Sequence, residues 1–231
     1  MINYLKNIIS ISWIQIINIL HPFILTPILI HRLEAHNYGL VTYGISITSI
    51  VTLFIAFGFN NPLIKLFSNL NNEKRINDLF NIVFTIKLTL LFIVALICYL
   101  LGFISDKVPS LLILLSLWVC LYDVIFPIWY YHAKGKLGKA STVNFIFKII
   151  SFVLLLCFVK SPSDYLLVPI INFISVICLG LLVYIDLRKT IKFRLVYKTN
   201  SDFTLLLKES TSIFTAGISS KIYTGSSKIL F

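Results

Sequence analysis

Asn144, Lys148 and Ser151 stand at i, i+4 and i+7 inside a run of isoleucine, leucine, valine and phenylalanine. On a helix that spacing puts an amide, an ammonium and a hydroxyl on one face. Lysine binds phosphate as a point charge, and a low-dielectric wall strengthens the attraction. The chemistry on offer is recognition of an anionic group rather than bond making. Gln15, Asn18 and Pro22 repeat the pattern near the N-terminus, with Ser12 before them and His21 beside the proline. Thr42, Ser46 and Ser49 form a third stripe, and Asn172 and Ser175 follow Pro169 as a fourth. Polar stripes of this kind also glue neighbouring membrane helices, which is the competing reading. Four of them favour the lining of a shared wet cavity.

Three charges lie deep in the apolar sequence. An ionised side chain at mid-helix costs about 2.5–3.5 kcal/mol on insertion scales, so it faces an interior or a partner. Lys87 and Asp123 each fall ~12 Å inside consecutive antiparallel helices. Matched depth and opposite sign predict a buried Lys87–Asp123 pair. Lys148 is shallower, ~9 Å inside its helix. It either snorkels to the headgroups or faces the cavity as a cation awaiting an anion.

The elements that must position these residues are six long apolar stretches, at 8–30, 38–59, 79–103, 110–131, 143–159 and 165–185. A bilayer core needs about 20 apolar residues per helix, and each stretch is near that length. The expected fold is therefore all-α, a polytopic transmembrane helix bundle. The loops alternate in charge. Lys6, Lys65, Lys74, Arg75, Lys134, Lys136, Lys139 and the basic run from Arg188 to Lys208 place thirteen cations on one side. Arg32, Lys107 and Lys160 are the three on the other. Excess Lys and Arg marks cytoplasmic loops, so the N-terminus is expected to be cytoplasmic.

Composition narrows the class. The chain is 58% hydrophobic and only 13% charged, too little charge to clothe a soluble domain of 231 residues. The net charge of +11 resides in short basic loops, where topology and anionic headgroups account for it better than nucleic acid. Cys98, Cys120, Cys157 and Cys178 fall within the apolar stretches at no ligand spacing and read as buried small residues. His31 and His36 read as solvated. The first stretch is too long for a signal h-region and lacks a small-residue cleavage site, so it is expected to remain. Trp129, Tyr130 and Tyr131 end the fourth stretch, as an interfacial aromatic belt would.

The run Gln15…Asn18…His21-Pro22…Pro27…Arg32-Leu33…Asn37-Tyr38-Gly39-Leu40, then Phe57-Gly58-Phe59-Asn60, resembles the opening of bacterial polysaccharide-unit (O-antigen) flippases of the Wzx type. Pro127-Ile128-Trp129-Tyr130-Tyr131…Gly135-Lys136…Asn144…Lys148 resembles that family's proline-x-tryptophan segment and following helix, and Asp164-Tyr165 its turn before the sixth helix. The family sits in the multidrug/oligosaccharidyl-lipid/polysaccharide exporter superfamily. The resemblance implies two six-helix lobes around a cationic cavity and, where an ion gradient drives the family's transport, makes Asp123, beside Lys87, the local candidate for a coupling carboxylate. It also implies transfer of an undecaprenyl-diphosphate-linked oligosaccharide, an O-antigen or capsule repeat, to the outer leaflet by alternating access. The implied setting is the bacterial inner membrane, with membrane lipids, the polysaccharide polymerase and the chain-length machinery as partners and no cofactor.

A complete member has a second lobe, whereas this chain stops in what reads as its seventh helix. The expected organisation is a six-helix lobe at 1–186, a basic cytoplasmic loop at 187–208 and a partial seventh helix at 209–231. There Lys221, Thr224 and Lys228 share a face as cavity-lining residues would, unless the segment lies in the interface as a basic amphipathic helix. A truncated gene and a half-transporter that dimerises both fit, so an inactive or scaffolding remnant stands as an alternative function. A drug or cation antiporter is another, although acidic residues would then be expected inside the spans. An enzyme is not expected, because the external loops are short and carry no paired carboxylates or His/Asp clusters.

Overall fold

Apolar runs of this length can satisfy their main-chain polar groups within a bilayer only as helices. The computed structural model describes residues 2–70, 72–104, 110–196 and 201–229, with side chains at 16, 19–70, 72–98, 100, 111–196 and 203–220, and holds helices and no strand among them. Helix α1 runs Ile2–Ala56, α2 Asn60–Asn69, α3 Glu73–Ile104, α4 Ser110–Trp118 and α5 Leu121–Ile125. Then come α6 Ile128–Ala133, α7 Leu137–Phe158, a 3-10 turn Pro162–Leu166, α8 Leu167–Leu187 and α9 Ser201–Ile229. Five helical segments among the described residues are long and apolar enough to cross a membrane. The chain is a multi-pass membrane protein.

The first of those segments is two arms rather than one rod. Glu34 sits at φ 63°, ψ 166° inside α1. Twelve residues of straight helix would span ~18 Å, yet the Tyr38 hydroxyl donates to Thr26 Oγ1 at 3.3 Å. The chain therefore folds back at Glu34, and the two arms correspond to the first two apolar stretches. That turn is fastened to the far end of α7. Arg32 Nη1 donates to the carbonyls of Leu156 at 2.5 Å and Val159 at 2.8 Å, main-chain acceptors left open where α7 ends. Asn37 Nδ2 donates to the Pro162 carbonyl at 2.8 Å. Asp164 Oδ2 accepts from the Lys160 and Ser161 amides and the Ser161 hydroxyl, which fixes the turn into α8.

The fourth stretch is broken where one continuous span is expected. The chain tightens into i→i−3 bonds at Val119 and Cys120 and departs from helical geometry at Phe126, φ −99°, ψ 89°. Proline at 127 explains the second break, since it has no N–H and disfavours helix at the residue before it. The aromatic residues after the break do not form a belt facing lipid. Trp129, Tyr130 and Tyr131 are 3%, 7% and 3% exposed and pack with Phe67 and Phe80 in the largest core cluster. The residues between the second and third stretches include the amphipathic helix α2, which buries Pro62 and packs Leu63 and Phe67 into this cluster.

The basic segment after α8 is likewise structured. Residues 191–196 run alongside α3, where Asn77, Asn81 and Thr85 at i, i+4 and i+8 bind its backbone. Asn77 Oδ1 accepts from the Lys192 amide at 2.7 Å, and Asn81 bridges the Lys192 carbonyl and the Arg194 amide. Thr85 Oγ1 accepts from the Val196 amide at 3.0 Å. Helix α9 then starts at Ser201, ahead of the expected apolar segment.

Candidate functional site

Two of the polar stripes meet across one cavity of ≈ 160 Å³. Helix α7 supplies Asn144, Lys148 and Ser151, and α8 supplies Asn172 and Ser175. The first arm of α1 adds His21, and α5 adds Tyr122. Asn144 and Ser151 are 4% and 5% exposed, and the Ser151 hydroxyl donates to Asn172 Oδ1 at 3.0 Å, which ties the two helices together. His21 lies edge-on to Phe152, and its buried Nε2 makes no hydrogen bond among the described residues. Lys148 is half-buried on the same wall. Val119, Phe147, Val176 and Leu179 complete the lining. The chamber thus has apolar walls, fixed amides and hydroxyls, and one ammonium, the makings of an anion site.

The second arm of α1 does not contribute its expected stripe to this chamber. Thr42, Ser46 and Ser49 donate to Tyr38, Thr42 and Ser46 carbonyls of their own helix. A hydroxyl can always be satisfied this way, so a stripe of Ser and Thr alone does not specify a cavity. Thr48, one step off that stripe, faces inward. It donates to the Gly44 and Ser116 carbonyls and lines a small adjoining cavity with Ser116 and Asn172. Gly44 makes the approach possible, since a Cβ there would lie 2.5 Å from Ser116 Oγ.

Gln15 and Asn18 fall on α1 and Lys221 and Lys228 on α9, but their side chains lie outside the described residues. Lys87 and Asp123 are brought together in an unexpected way. Lys87, 3% exposed, donates from Nζ to the main-chain oxygen of Asp123 at 3.4 Å, and among the described residues no carboxylate comes within ion-pair distance of it, although it feels the Asp123 charge. Thr52 lies beside the Asp123 carboxylate and the Cys120 thiol.

A second polar cluster escaped sequence reasoning. At the α2–α6 end of the bundle, Asp186 accepts from the Tyr131 hydroxyl at 3.0 Å and pairs with Lys139. Lys189 joins them around a cavity of ≈ 260 Å³. Nothing in the spacing announces this trio, because its members come from α6, α7 and α8. Helix α7 begins at Leu137 rather than at the expected 143, which is what carries Lys139 into the cluster.

A family model described as polysaccharide biosynthesis protein matches residues 4–231. No curated protein matches the chain, and no solved structure does. That match spans nearly the whole sequence and agrees with the flippase resemblance carried by the His21-Pro22, Asn37-Tyr38-Gly39 and Pro127–Tyr131 segments. A multi-pass helical bundle in this family suggests a transporter of lipid-linked polysaccharide units. The chain belongs to the polysaccharide biosynthesis protein family.

Proposed function

We propose that this protein moves an undecaprenyl-diphosphate-linked oligosaccharide repeat, of an O-antigen or capsule, from the inner to the outer leaflet of the bacterial plasma membrane. The observation that carries the reading is the chamber between α1, α7 and α8, with Lys148 beside Asn144, His21, Ser151 and Asn172. A diphosphate is the one strongly anionic part of such a substrate, and an ammonium in a low-dielectric wall is its natural counter-charge. The sugar would meet the amides and hydroxyls, and no bond of the substrate is broken. The N-terminus is cytoplasmic in this reading. Support comes from the cations: Lys65, Lys139, Lys189, Lys192 and Arg194 gather at the α2–α6 end, opposite the Glu34 turn. Alternating access would bend the chain where its helices are already interrupted, at Glu34 and before Pro127. A polymerase and chain-length machinery would receive the lipid on the far side.

The test is a flipping assay in proteoliposomes, with a fluorescent sugar on undecaprenyl diphosphate and an impermeant quencher outside. The protein should raise the rate at which inward-facing fluorophore becomes quenchable, and Lys148→Ala should return it to the protein-free rate. A rate that never exceeds protein-free liposomes identifies a scaffold and removes the transport reading.

A further inference from the structure

His21 and Lys148 belong to two cavities at once. Inward they line the polar chamber. Outward they close the inner end of a cleft of ≈ 220 Å³ between α1 and α7. Ile16, Leu20 and Ile24 form one wall of that cleft at i, i+4 and i+8, and Phe145, Ile149 and Phe152 form the other at i, i+4 and i+7. Apart from the shared pair, every residue lining it is apolar. Ile16, Leu20, Ile24 and Ile149 are all 44–48% exposed, so the cleft opens to the outside of the bundle.

We propose that this cleft is where the isoprenoid tail of an anionic lipid leaves the chamber, its phosphate end at Lys148 and its first isoprene units between α1 and α7. The assignment rests on Lys148 as the head-group site of the reading above. An amphiphile needs a charged pocket and an apolar slot that touch, and this junction supplies both within one pair of helices. A free phosphate has no use for the slot. A bulk lipid lying on the surface has no use for the cation. An isoprenoid phosphate uses both, and the branched faces of isoleucine and the flat faces of phenylalanine pack well against a methyl-branched chain.

The cleft also gives the tail a course that never crosses the polar chamber. A chain kept in hydrocarbon throughout avoids exposing its length to water, at about 0.8 kcal/mol per methylene. Only the head group then has to pass through the protein. His21, at the junction and edge-on to Phe152, is placed to donate an N–H to the phosphate oxygens.

The test uses the full chain with Cys98, Cys120, Cys157 and Cys178 replaced by serine and one benzophenone-labelled cysteine, at Ile24→Cys, Ile149→Cys or, on the distant face of α3, Leu96→Cys. Each is reconstituted in phosphatidylcholine vesicles holding a trace of radiolabelled undecaprenyl diphosphate or undecaprenol and then irradiated. With the diphosphate, labelling at positions 24 and 149 should exceed that at 96 by tenfold or more. Lys148→Ala should remove that excess, and Lys148→Arg should keep at least a third of it. Undecaprenol, lacking the head group, should label all three positions alike. Equal diphosphate labelling at all three, or an excess that survives Lys148→Ala, means that the cleft holds bulk lipid only and overturns the proposal. Lys148-dependent flipping without cleft labelling would likewise overturn it and leave the transport reading standing. Cleft labelling in a protein that never flips the sugar-bearing lipid would sink transport instead and keep the cleft.

Discussion

Lys87 Nζ binds the main-chain oxygen of Asp123, at 3.4 Å, and the reason lies four residues further on. In a helix that oxygen would accept from the amide at position 127, and Pro127 has none. The buried ammonium replaces the missing donor, so the lysine serves the break in the fourth stretch more directly than it serves a carboxylate. Lys87→Met should therefore lower stability by about 1–3 kcal/mol, the cost of an orphaned buried acceptor. Asp123→Asn, which keeps the carbonyl, should cost clearly less. Thermal unfolding in detergent compares them. Equal losses would mean that the side-chain charge pair is what matters, and Pro127→Ala should make Lys87→Met milder only if the carbonyl is.

Glu34 adopts a backbone region favoured by glycine. Such a residue costs on the order of 1–3 kcal/mol, and part of that should be recovered by Glu34→Gly. The expected result is a higher unfolding temperature with unchanged membrane insertion. A lower one would show that the Glu34 side chain, exposed here, does something its geometry does not reveal.

Arg32 reads in the sequence as a loop cation, yet it caps the end of α7 by bonding the carbonyls of Leu156 and Val159. Hydrogen bonds from a charged donor are worth about 1.5–3 kcal/mol each, less where water reaches them. Arg32→Ala should make the α7–α8 turn the first site of proteolysis in solubilised protein, and Arg32→Lys should rescue part of the protection, because a single nitrogen, Nη1, makes both bonds and an ammonium also carries several N–H groups. Identical cleavage patterns in all three proteins would refute the clamp.

Gly44 lets the second arm of α1 press on α4. Gly44→Ala puts a methyl 2.5 Å from Ser116 Oγ, so a loss of roughly 1–3 kcal/mol is expected from overpacking. Adding Ser116→Gly should restore most of it. Thermal melts of the single and double variants decide this, and failure of the second change to help would show that the helices simply move apart.

For transport, Lys148→Ala should abolish flipping while Lys148→Arg keeps part of it, in protein inserted at normal levels. Full activity in the alanine variant would remove Lys148 from the site.

The helical fold was legible because a bilayer permits few alternatives, and apolar length alone located the six stretches. Periodicity alone also puts Asn144, Lys148 and Ser151 on the wall they share. The stripe on the second arm misled because hydroxyls at 42, 46 and 49 bond backward along their own helix, which spacing cannot reveal. Trp129 and its neighbours carry the composition of a lipid-facing belt, and only the presence of α2 shows that they are covered. Pro127 was visible all along, but the donor that compensates for it comes from another helix, thirty-six positions away from Asp123. Asn77, Asn81 and Thr85 had helical spacing too, though their partner is a backbone and leaves no side-chain signature.

That last contact changes what a charged connector means. A tether of lysines and arginines would ordinarily be slack, absorbing any movement of the parts it joins. Residues 191–196 are instead held at four points to the side of α3, with Phe193 seated against Phe80 and Phe84. Slack becomes a splint. Because α3 grips it at those four points, a tilt of α3 would carry residues 191–196, and with them the path the chain takes on leaving α8.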